Sequence, residues 1–464
     1  MKLLYIGAGF VGTCSAAVAA DSGHEVLIYD IDKEKVKNLG SFDRDTVESV
    51  LFEEGLGDTL AKNKERIKFT HDNIDLENFI DKCEAIFICV PTSEIDETGE
   101  TDLSHYNSAL EFLSKLLVKR NTGAQDNYLV IINKSTVPIN LVMSTENKLK
   151  EAGVINFGVV SNPEFLVEGK AMFGSLKPDR VVIGAWNERD FVIMRRLYQR
   201  FYDSPTVQYI EVNPMEAAAG KLLANFYLFN KLAVCYDVIG RTCEAFSGVK
   251  FESIRKILTT DARIGEWGFF NSLYAGGSCF IKDARSLAHQ LKSAGHEHAL
   301  VNEVYLSNKR QLDKFINRPD KELNYDWKGK VVSILGLAFK RNTNDIRNSP
   351  SVNLVKHFLS KDVAEIRLYD PAAHQTFKKL FPENDKIKYV VSEKEAIANA
   401  DVVILATDWP QFRSLSDLLL EKPLDKKVLI MDGRRILQHS YELLQSNGYD
   451  IIAVGSPLLK ASEA

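Results

Sequence analysis

The segment KLLYIGAGFVG at residues 2–12 decides the fold of this 464-residue chain. A short apolar strand runs into a G-x-G-x-x-G loop, and a helical stretch follows without a break. Glycines allow a tight turn, and the helix offers N–H groups and a positive dipole to a pyrophosphate. The pattern therefore predicts a dinucleotide-binding loop; the alternative is a tight turn without a ligand.

The acid that ends the next strand indicates which dinucleotide binds. Asp30 follows the strand at 25–29, about 20 residues after the glycines. A carboxylate there accepts hydrogen bonds from a ribose and repels a 2′-phosphate, so we expect NAD rather than NADP. Lys35 is either a cofactor contact or a solvated helix lysine. The predicted cofactor contacts are Gly7, Gly9, Phe10, Val11, Gly12, Asp30 and Lys35.

Two blocks of alternating strands and helices flank a helical block. Apolar runs such as EVLIYD at 25–30 occupy the first 200 residues, and runs such as KVVSILG at 330–336 return after residue 327. This alternation predicts an α/β fold with parallel sheets. Between the blocks, residues 213–246 have the periodicity of one long helix. We expect domains over residues 1–205, 206–318 and 319–464.

Composition excludes several classes of function. The chain carries 58 Lys and Arg against 63 Asp and Glu, a net charge of −5, so we expect no nucleic-acid partner. Apolar runs fall short of the ~18–20 residues of a membrane helix, and no signal peptide is evident, so we expect no membrane partner. Six cysteines without CxxC or metal-ligand spacing predict a reduced, cytoplasmic protein with no metal.

The segment GGSCFIKD at 276–283 is the best candidate for covalent chemistry. A glycine-serine turn before a helical stretch places Cys279 near a helix N-terminus, where a thiol pKa falls and a nucleophile forms. Asp283, four residues on, shares a helical face with Cys279. A small core residue is the alternative for Cys279, and it is our interpretation of the other five cysteines.

Two further segments carry polar residues in apolar surroundings. Lys221 and Asn225 lie four apart on the long helix, and their apolar flanks suggest a covered face, where they would suit a developing oxyanion. Solvated helix residues are the alternative. Glu164, in NPEFLVE at 162–168, follows a buried strand, where α/β sheets bind ligands; a helix-capping acid is its alternative. Thr136, in KSTVP at 134–138, would order a water near the nicotinamide; its alternative is a polar strand-end residue.

The chain resembles the UDP-glucose/GDP-mannose dehydrogenase family. The resemblance spans nearly the whole chain in family order, through GAGFVG at 7–12, KSTVP, NPEFLVEG at 162–169, PDRVVIG at 178–184, E-x4-K-x3-N at 216–225, RIG at 263–265, GGSCFIKD, GLAFK at 336–340 and DGR at 432–434. It implies two Rossmann-like domains joined by a long helix. It also implies an NAD-binding N-terminal domain, a central dimerisation region with the catalytic cysteine, and a C-terminal UDP-sugar domain.

The resemblance implies a four-electron oxidation of the C6 alcohol of a UDP-hexose, with UDP-glucose and UDP-glucuronate as substrate and product. Cys279 would form a thiohemiacetal and then a thioester, which water hydrolyses. The implied catalytic residues are Cys279, Lys221, Asn225, Asp283, Glu164 and Thr136. Further implied cofactor contacts are Thr136, Glu168, Lys282 and Arg347. The implied substrate contacts are Phe165, Leu166, Glu168, Lys221, Asn225, Arg263, Gly276, Phe339, Lys340 and Arg434.

Arg263 resembles the family arginine that reaches the substrate across a subunit boundary, which implies a homodimer or a higher homo-oligomer. One loop departs from the family: NSLYAGGSCF at 271–280 replaces PGPGFGGSCF, so Tyr274 and Ala275 stand in place of a Gly-aromatic pair. The acidic TDD before IR is also altered, to Thr343-Asn344-Asp345. The first departure leaves GDP-mannose and UDP-N-acetylhexosamine open as alternative substrates.

Two further functions compete with this one. A β-hydroxyacid or phosphogluconate-type dehydrogenase also joins a Rossmann domain to a long helix, but it needs no cysteine and lacks a second α/β block. A non-catalytic nucleotide-sugar sensor would not need Cys279, Lys221, Asn225 and Glu164 together. The number of NADH molecules formed per sugar separates the three functions. It is two for the four-electron oxidation, one for a single-hydride dehydrogenase and none for a sensor.

Overall fold

The computed structural model describes residues 1–120, 127–270, 272–421 and 428–461. Two compact units divide the chain: Met1–Ala224 with Arg285–His296, and Asn225–Ala284 with Glu297–Ala464. Each unit contains one sheet. The predicted division at residues 205 and 318 stays a prediction.

The strands of the described residues fall in two sheets. The first sheet contains β1 Lys2–Ile6, β2 Glu25–Tyr29, β3 Ile67–Thr70, β4 Ala85–Ile88, β5 Leu129–Asn133, β6 Phe157–Ser161, β7 Arg180–Gly184 and β8 Gln208–Val212. The second contains β9 Val331–Leu335, β10 Glu365–Tyr369, β11 Ile387–Tyr389, β12 Val402–Leu405, β13 Val428–Asp432 and β14 Tyr449–Ala453.

The helices of the described residues connect these strands or form the region between them. The α-helices are α1 Phe10–Asp21, α2 Lys33–Leu39, α3 Arg44–Leu51, α4 Leu56–Lys62, α5 Asn73–Ile80, α6 Ser104–Arg120, α7 Leu141–Glu151, α8 Ala171–Leu176, α9 Glu188–Leu197, α10 Gln199–Tyr202, α11 Pro214–Ala233, α12 Gly240–Ala245, α13 Phe251–Thr259, α14 Cys279–Ser293, α15 Ala299–Leu323, α16 Pro350–Leu359, α17 His374–Leu380, α18 Glu393–Ile397, α19 Leu415–Leu420 and α20 Tyr441–Ser446. A π-helix spans Val234–Ile239, and 3₁₀-helices span Pro410–Ser414 and Gln438–Ser440.

The first sheet has the order β3-β2-β1-β4-β5-β6-β7-β8. Its first six positions form the doubly wound order of a dinucleotide-binding fold. Alternate residues of β1 enter different cores: Leu3 and Tyr5 pack on one face, and Leu4 and Ile6 on the other. Burial on both faces explains why these strands are continuous apolar runs. The predicted α/β fold with parallel strands is confirmed; one pair differs, since β7 pairs antiparallel with β6.

The second sheet, in order β11-β10-β9-β12-β13-β14, is parallel throughout and repeats the doubly wound order. Asp370 follows β10 as Asp30 follows β2, but its carboxylate is 2% exposed. It accepts hydrogen bonds from five groups of the chain: the N–H groups of Leu337, Ala338, Ala372 and Ala373, and the indole of Trp409. The loop GLAFK after β9 has an alanine where the first sheet has Gly9. The second sheet therefore keeps the topology of a dinucleotide fold without its glycine loop.

The predicted long helix is observed as a continuous run, Pro214–Ala245, formed by α11, the π-helix and α12. By length and composition this run passes the test for a helix that could cross a membrane, a test that core helices also pass. Its charged side chains bond to the protein: Lys221 to Glu164, and Arg241 to Gln311. Such bonds are typical of a core helix.

Candidate active site

The glycine loop has the geometry that a pyrophosphate requires. Gly7 has φ +106°, and a Cβ there would lie 2.6 Å from the carbonyl oxygen of Cys89. A Cβ on Gly12 would lie 2.2 Å from the carbonyl oxygen of Gly7. A Cβ on Gly9 would meet no atom within 4 Å, so the open side of this glycine leaves room for a ligand beside the start of α1. These residues fit NAD.

Asp30 stands beside this loop as expected. Its carboxylate accepts hydrogen bonds from the N–H groups of Ala8 (2.7 Å) and Asp32 (2.9 Å). Lys35 Nζ lies 3.4 Å from Asp30 and 3.9 Å from Asp32. Lys35 therefore lies at the cofactor edge of the sheet, paired with the acid that would hold the ribose.

The loops with Thr136 and Glu164 follow neighbouring strands of the first sheet. Lys134 comes directly after β5 and Asn162 directly after β6, and the Asn162 N–H donates to the carbonyl of Asn133 at 3.0 Å. The Thr136 carbonyl accepts a hydrogen bond from Thr92 Oγ1 at 2.8 Å. Because β4 and β5 follow β1 in the sheet, both loops lie at the same edge as the glycine loop.

A buried ion pair joins this edge to the long helix. Lys221 Nζ lies 3.0 Å from Glu164 Oε1, with the two side chains 3% and 9% exposed. Burial raises the pKa of Glu164, but Lys221, the Leu166 N–H and Lys134 outweigh it, so the pKa lies below its ordinary value. Glu164 is therefore a carboxylate at neutral pH and not a solvent-exposed helix cap. The expectation that Lys221 is covered is confirmed.

The residues that follow Glu164 shape the same loop. Phe165 lies between two cations, with the Arg180 guanidinium 3.9 Å and Lys221 Nζ 5.4 Å from its ring centre. The N–H of Leu166 donates to Glu164 Oε2 at 2.5 Å. Leu166 and Glu168 are half-buried. The loop after β6 thus presents the aromatic ring of Phe165 and the carboxylate of Glu164, which the Leu166 N–H holds in place.

Two residues that support this loop were missed in the sequence. Lys134 Nζ donates to Asn162 Oδ1 at 3.0 Å, and burial lowers the pKa of Lys134 to about 8. The fully buried Glu53 accepts hydrogen bonds from the N–H groups of Gly169 and Ala171, both at 2.7 Å. A lysine inside a buried apolar run was a signal for the first. Glu53 lies more than 100 residues from its partners, and no local pattern signals it.

Cys279 is the first residue of α14, as expected. Asp283 is 2% exposed; it accepts a hydrogen bond from Asn225 Nδ2 at 2.6 Å and lies 2.5 Å from Lys282 Nζ. Asn225 is 6% exposed. The second unit therefore brings the cysteine helix, a buried carboxylate and the amide of the long helix together. Lys282, expected at the cofactor, pairs here with Asp283.

The other five cysteines lack the environment of a nucleophile. Burial raises the pKa of Cys83, Cys89 and Cys235 to about 12. Burial also raises the pKa of Cys14 and Cys243. Thiols of this kind stay protonated at neutral pH, which leaves Cys279 as the candidate.

The loop before Cys279 packs against the segment after β9. A Cβ on Gly276 would lie 2.5 Å from the Asn348 carbonyl oxygen, and one on Gly277 would lie 2.8 Å from the Phe339 ring. Arg434 donates to the carbonyl of Phe339 at 3.0 Å. The structure thus brings Gly276, Phe339 and Arg434 together in the second unit. Lys340 lies against the Phe339 ring.

Of the other predicted residues, Phe10 and Val11 are half-buried at the start of α1, while Arg347 and Arg263 are exposed. Arg347 pairs with Asp345 at 2.7 Å, and its side chain is 58% exposed. Arg263 pairs with Asp261 at 2.6 Å, and its side chain is 89% exposed. Within the described part of the chain, no group of three or more His, Cys, Asp or Glu could hold a metal ion.

Three family models match this chain in succession. They are the NAD binding domain of the UDP-glucose/GDP-mannose dehydrogenase family over residues 1–202, its central domain over 215–310 and its UDP binding domain over 333–439. The chain is 33% identical to a UDP-glucose 6-dehydrogenase of Bacillus subtilis strain 168, over 100% of this chain and 95% of that protein. It is 31% identical to the UDP-glucose 6-dehydrogenase of Pseudomonas aeruginosa, over 94% of each. A solved UDP-glucose dehydrogenase of Pyrobaculum islandicum superimposes with a TM-score of 0.83 at 28% identity, covering 94% of this chain and 95% of that one.

Proposed function

Because this chain belongs to the UDP-glucose/GDP-mannose dehydrogenase family, we propose that it oxidises UDP-glucose to UDP-glucuronate with NAD. The buried pair of Lys221 and Glu164, at the sheet edge that carries the glycine loop, is the observation that best supports this chemistry. A panel of nucleotide sugars tests it: two NADH should form per UDP-glucose, while GDP-mannose and UDP-N-acetylhexosamines should react poorly. One NADH per sugar would favour a single-hydride dehydrogenase, and none a sensor.

Glu164 and Lys221 serve the first oxidation. NAD, held by the glycine loop and Asp30, supplies the hydride acceptor. Glu164, ionised because its pKa is lowered, takes the proton of the C6 hydroxyl through a water that Thr136 orders. General-base help of this kind contributes ~10²–10⁴-fold. Lys221 and Asn225 donate to the sugar oxygen as negative charge develops there.

Cys279 serves the second oxidation. Its thiolate adds to the aldehyde carbon and forms a thiohemiacetal, to whose oxygen Lys221 and Asn225 would donate. The thiohemiacetal then loses a second hydride to a second NAD, which the glycine loop binds after the first NADH has left, and becomes a thioester. Water then attacks the carbonyl, Asp283 and Glu164 accept its protons, the C–S bond breaks, and the thiolate leaves.

The cofactor assignment predicts a strong preference for NAD. We expect the wild-type kcat/KM with NADP to be lower by about 10²-fold, because the Asp30 carboxylate repels a 2′-phosphate. Asp30→Ser should reduce the ratio of kcat/KM with NAD to kcat/KM with NADP at least about tenfold. Asp45→Asn, a substitution at an exposed position, should leave this ratio unchanged. Initial rates with both cofactors measure this. Equal wild-type rates with NAD and NADP would refute the role of Asp30.

We also propose a homodimer in which Arg263 completes the site of the second copy. The long helix exposes four apolar side chains at spacings of 4, 7 and 4 residues: Leu223, Tyr227, Val234 and Val238. Such spacing forms one face, which suits a two-fold contact between two long helices. Arg263 is 89% exposed and pairs with Asp261 of its own chain, so most of its side chain is accessible to a second copy.

Mixing two inactive variants tests this arrangement. Arg263→Ala and Cys279→Ala homodimers should each be nearly inactive. A mixed dimer has one site with an intact cysteine from one chain and an intact arginine from the other. We therefore expect activity to return after the variants are refolded together. No recovery, with dimers confirmed by light scattering, would refute the shared site.

The domain division and the location are further proposals. Residues 1–205 would bind NAD, residues 206–318 would carry the dimer contact and Cys279, and residues 319–464 would bind the UDP moiety. All six cysteines are free thiols, which suits a reducing, cytoplasmic location.

A further inference from the structure

The loop before Cys279 departs in sequence from its family, yet its backbone is held firmly from one helix. Asn308, on α15, is fully buried. Its Oδ1 accepts a hydrogen bond from the Ala275 N–H at 2.8 Å, and its Nδ2 donates to the Ala275 carbonyl at 3.0 Å. One amide side chain therefore binds both polar groups of a single loop residue.

A second polar side chain of α15 holds the start of the same loop. Gln311 is three residues after Asn308 and 1% exposed. Its Nε2 donates to the Ser272 carbonyl at 2.6 Å, and its Oε1 accepts from Arg241 at 2.6 Å. Residues three apart share one face of a helix, so this face of α15 binds the loop at Ser272 and at Ala275. Nearer the cysteine, the Gly277 N–H donates to the Arg347 carbonyl and the Gly277 carbonyl accepts from Asn348, both at 3.0 Å.

The grip depends on backbone atoms and not on loop side chains. The contacted atoms are the Ser272 carbonyl and the Ala275 N–H and carbonyl. This explains how Tyr274 and Ala275 can replace a Gly-aromatic pair while the loop keeps a defined path. Leu273, inside the loop, donates its N–H to the Gly433 carbonyl at 3.0 Å, one residue before Arg434.

A third contact links Asn308 to the long helix. Tyr236, 1% exposed, donates its hydroxyl to Asn308 Oδ1 at 2.7 Å. It belongs to the π-helix, a form that often marks functional sites. With two hydrogen bonds to its oxygen and one from its nitrogen, Asn308 is fixed in one orientation.

We propose that Asn308 is the positioning residue of the catalytic cysteine, and that Gln311 and Tyr236 assist it. The inference rests on the proposed function of Cys279. The loop passes from Ala275 through two glycines and Ser278 to Cys279 at the first turn of α14, and the N–H groups of a helix start stabilise a thiolate. A fixed loop also fixes the start of α14. The ionisation of the Cys279 thiol and the direction of its sulfur are fixed with it.

The test combines alkylation of Cys279 with steady-state kinetics. The variants are Asn308→Ala, Asn308→Asp and Tyr236→Phe, and the control is Asn302→Ala, an exposed asparagine of the same helix. The rate at which iodoacetamide labels Cys279, mapped by peptide mass across a pH series, reports the thiol pKa without any substrate. Asn308→Ala should raise that pKa and lower kcat by about 10²-fold, with a smaller change in KM.

The other two variants grade the effect. Tyr236→Phe removes one hydrogen bond and should shift the alkylation profile less and in the same direction. Asn308→Asp places a buried carboxylate oxygen against the Ala275 carbonyl and should shift the profile at least as far as Asn308→Ala. If Asn308→Ala does not fold, Tyr236→Phe decides. Wild-type profiles and wild-type kcat in folded variants would overturn the proposal. If the wild-type chain labels at Cys279 but does not oxidise UDP-glucose, the proposed function fails and the alkylation test still stands.

Discussion

Replacing Cys279 by alanine is expected to abolish UDP-glucuronate formation, with a rate loss of at least about 10⁴-fold, as when a nucleophile is removed. The first oxidation needs a base and a positioned nicotinamide but no covalent bond. The second needs a tetrahedral adduct, and without the sulfur no adduct forms. Product analysis by chromatography, together with the count of NADH per sugar, measures the loss.

Serine at this position should have a different effect. Cys279→Ser can form an ester in place of the thioester, and an ester hydrolyses far more slowly. A covalent sugar-nucleotide adduct should therefore accumulate and appear as a mass increase of the intact protein. Asp283→Asn should slow hydrolysis and leave cofactor binding unchanged.

A buried cysteine provides the matched control for both variants. Cys243, fully buried in the core of the second unit, should tolerate alanine with little change in turnover. If Cys279→Ala still makes two NADH per UDP-glucose at near-normal rate, then Cys279 is a core residue and the covalent mechanism fails.

Lys221→Met is expected to have the second largest effect. It removes an oxyanion donor, worth ~10²–10³ in kcat. It also leaves Glu164 buried without its cation, and breaking a buried pair in this way costs about 3–5 kcal/mol. Activity assays and denaturant unfolding measure the two losses separately.

The pH dependence of stability should change sign in this variant. In the wild-type chain the pKa of Glu164 is lowered, so its contribution is present above the unfolded pKa and is lost as pH falls through the folded one. Without Lys221, burial should raise that pKa, and stability should instead fall as pH rises through it.

A double variant separates stability from catalysis. Lys221→Met with Glu164→Gln leaves no uncompensated carboxylate, so the free energy of unfolding should recover while turnover stays low. If Lys221→Met alone keeps wild-type turnover and stability, the pair has neither of the roles assigned here.

Most of the fold followed from apolar runs, but three strands were missed: β3, β8 and β11. All three lie at sheet edges. An edge strand is paired on one side only, and IKFT, QYIEV and IKY are short and carry charged residues. The central strands are buried on both faces, which makes them continuous apolar runs that a sequence displays directly.

The candidate site divides in a similar way. Residues within one short segment, such as Cys279 with Asp283, were predictable because a helix fixes their spacing. Glu53 and Asn308 were not, because their partners lie far away in the chain. For Lys134, a lysine beside a buried apolar run was a signal, but its partner Asn162 was not evident. Whether a polar residue is a solvated side chain or a buried anchor depends on packing that only the tertiary fold supplies.

Asp370 accepts its hydrogen bonds from groups of its own chain, and this has a consequence for the order of events in turnover. Among the described residues, only one loop has the glycines of a dinucleotide site. Formation of the carboxylic acid product, however, needs two hydride acceptors. The enzyme must therefore release NADH and bind a second NAD at one site between the two oxidations, while the partly oxidised sugar stays bound. A tether to Cys279 would prevent escape of the aldehyde during this exchange. The interval between the two NADH molecules then includes the time in which one cofactor leaves and the next binds, and single-turnover kinetics can measure it.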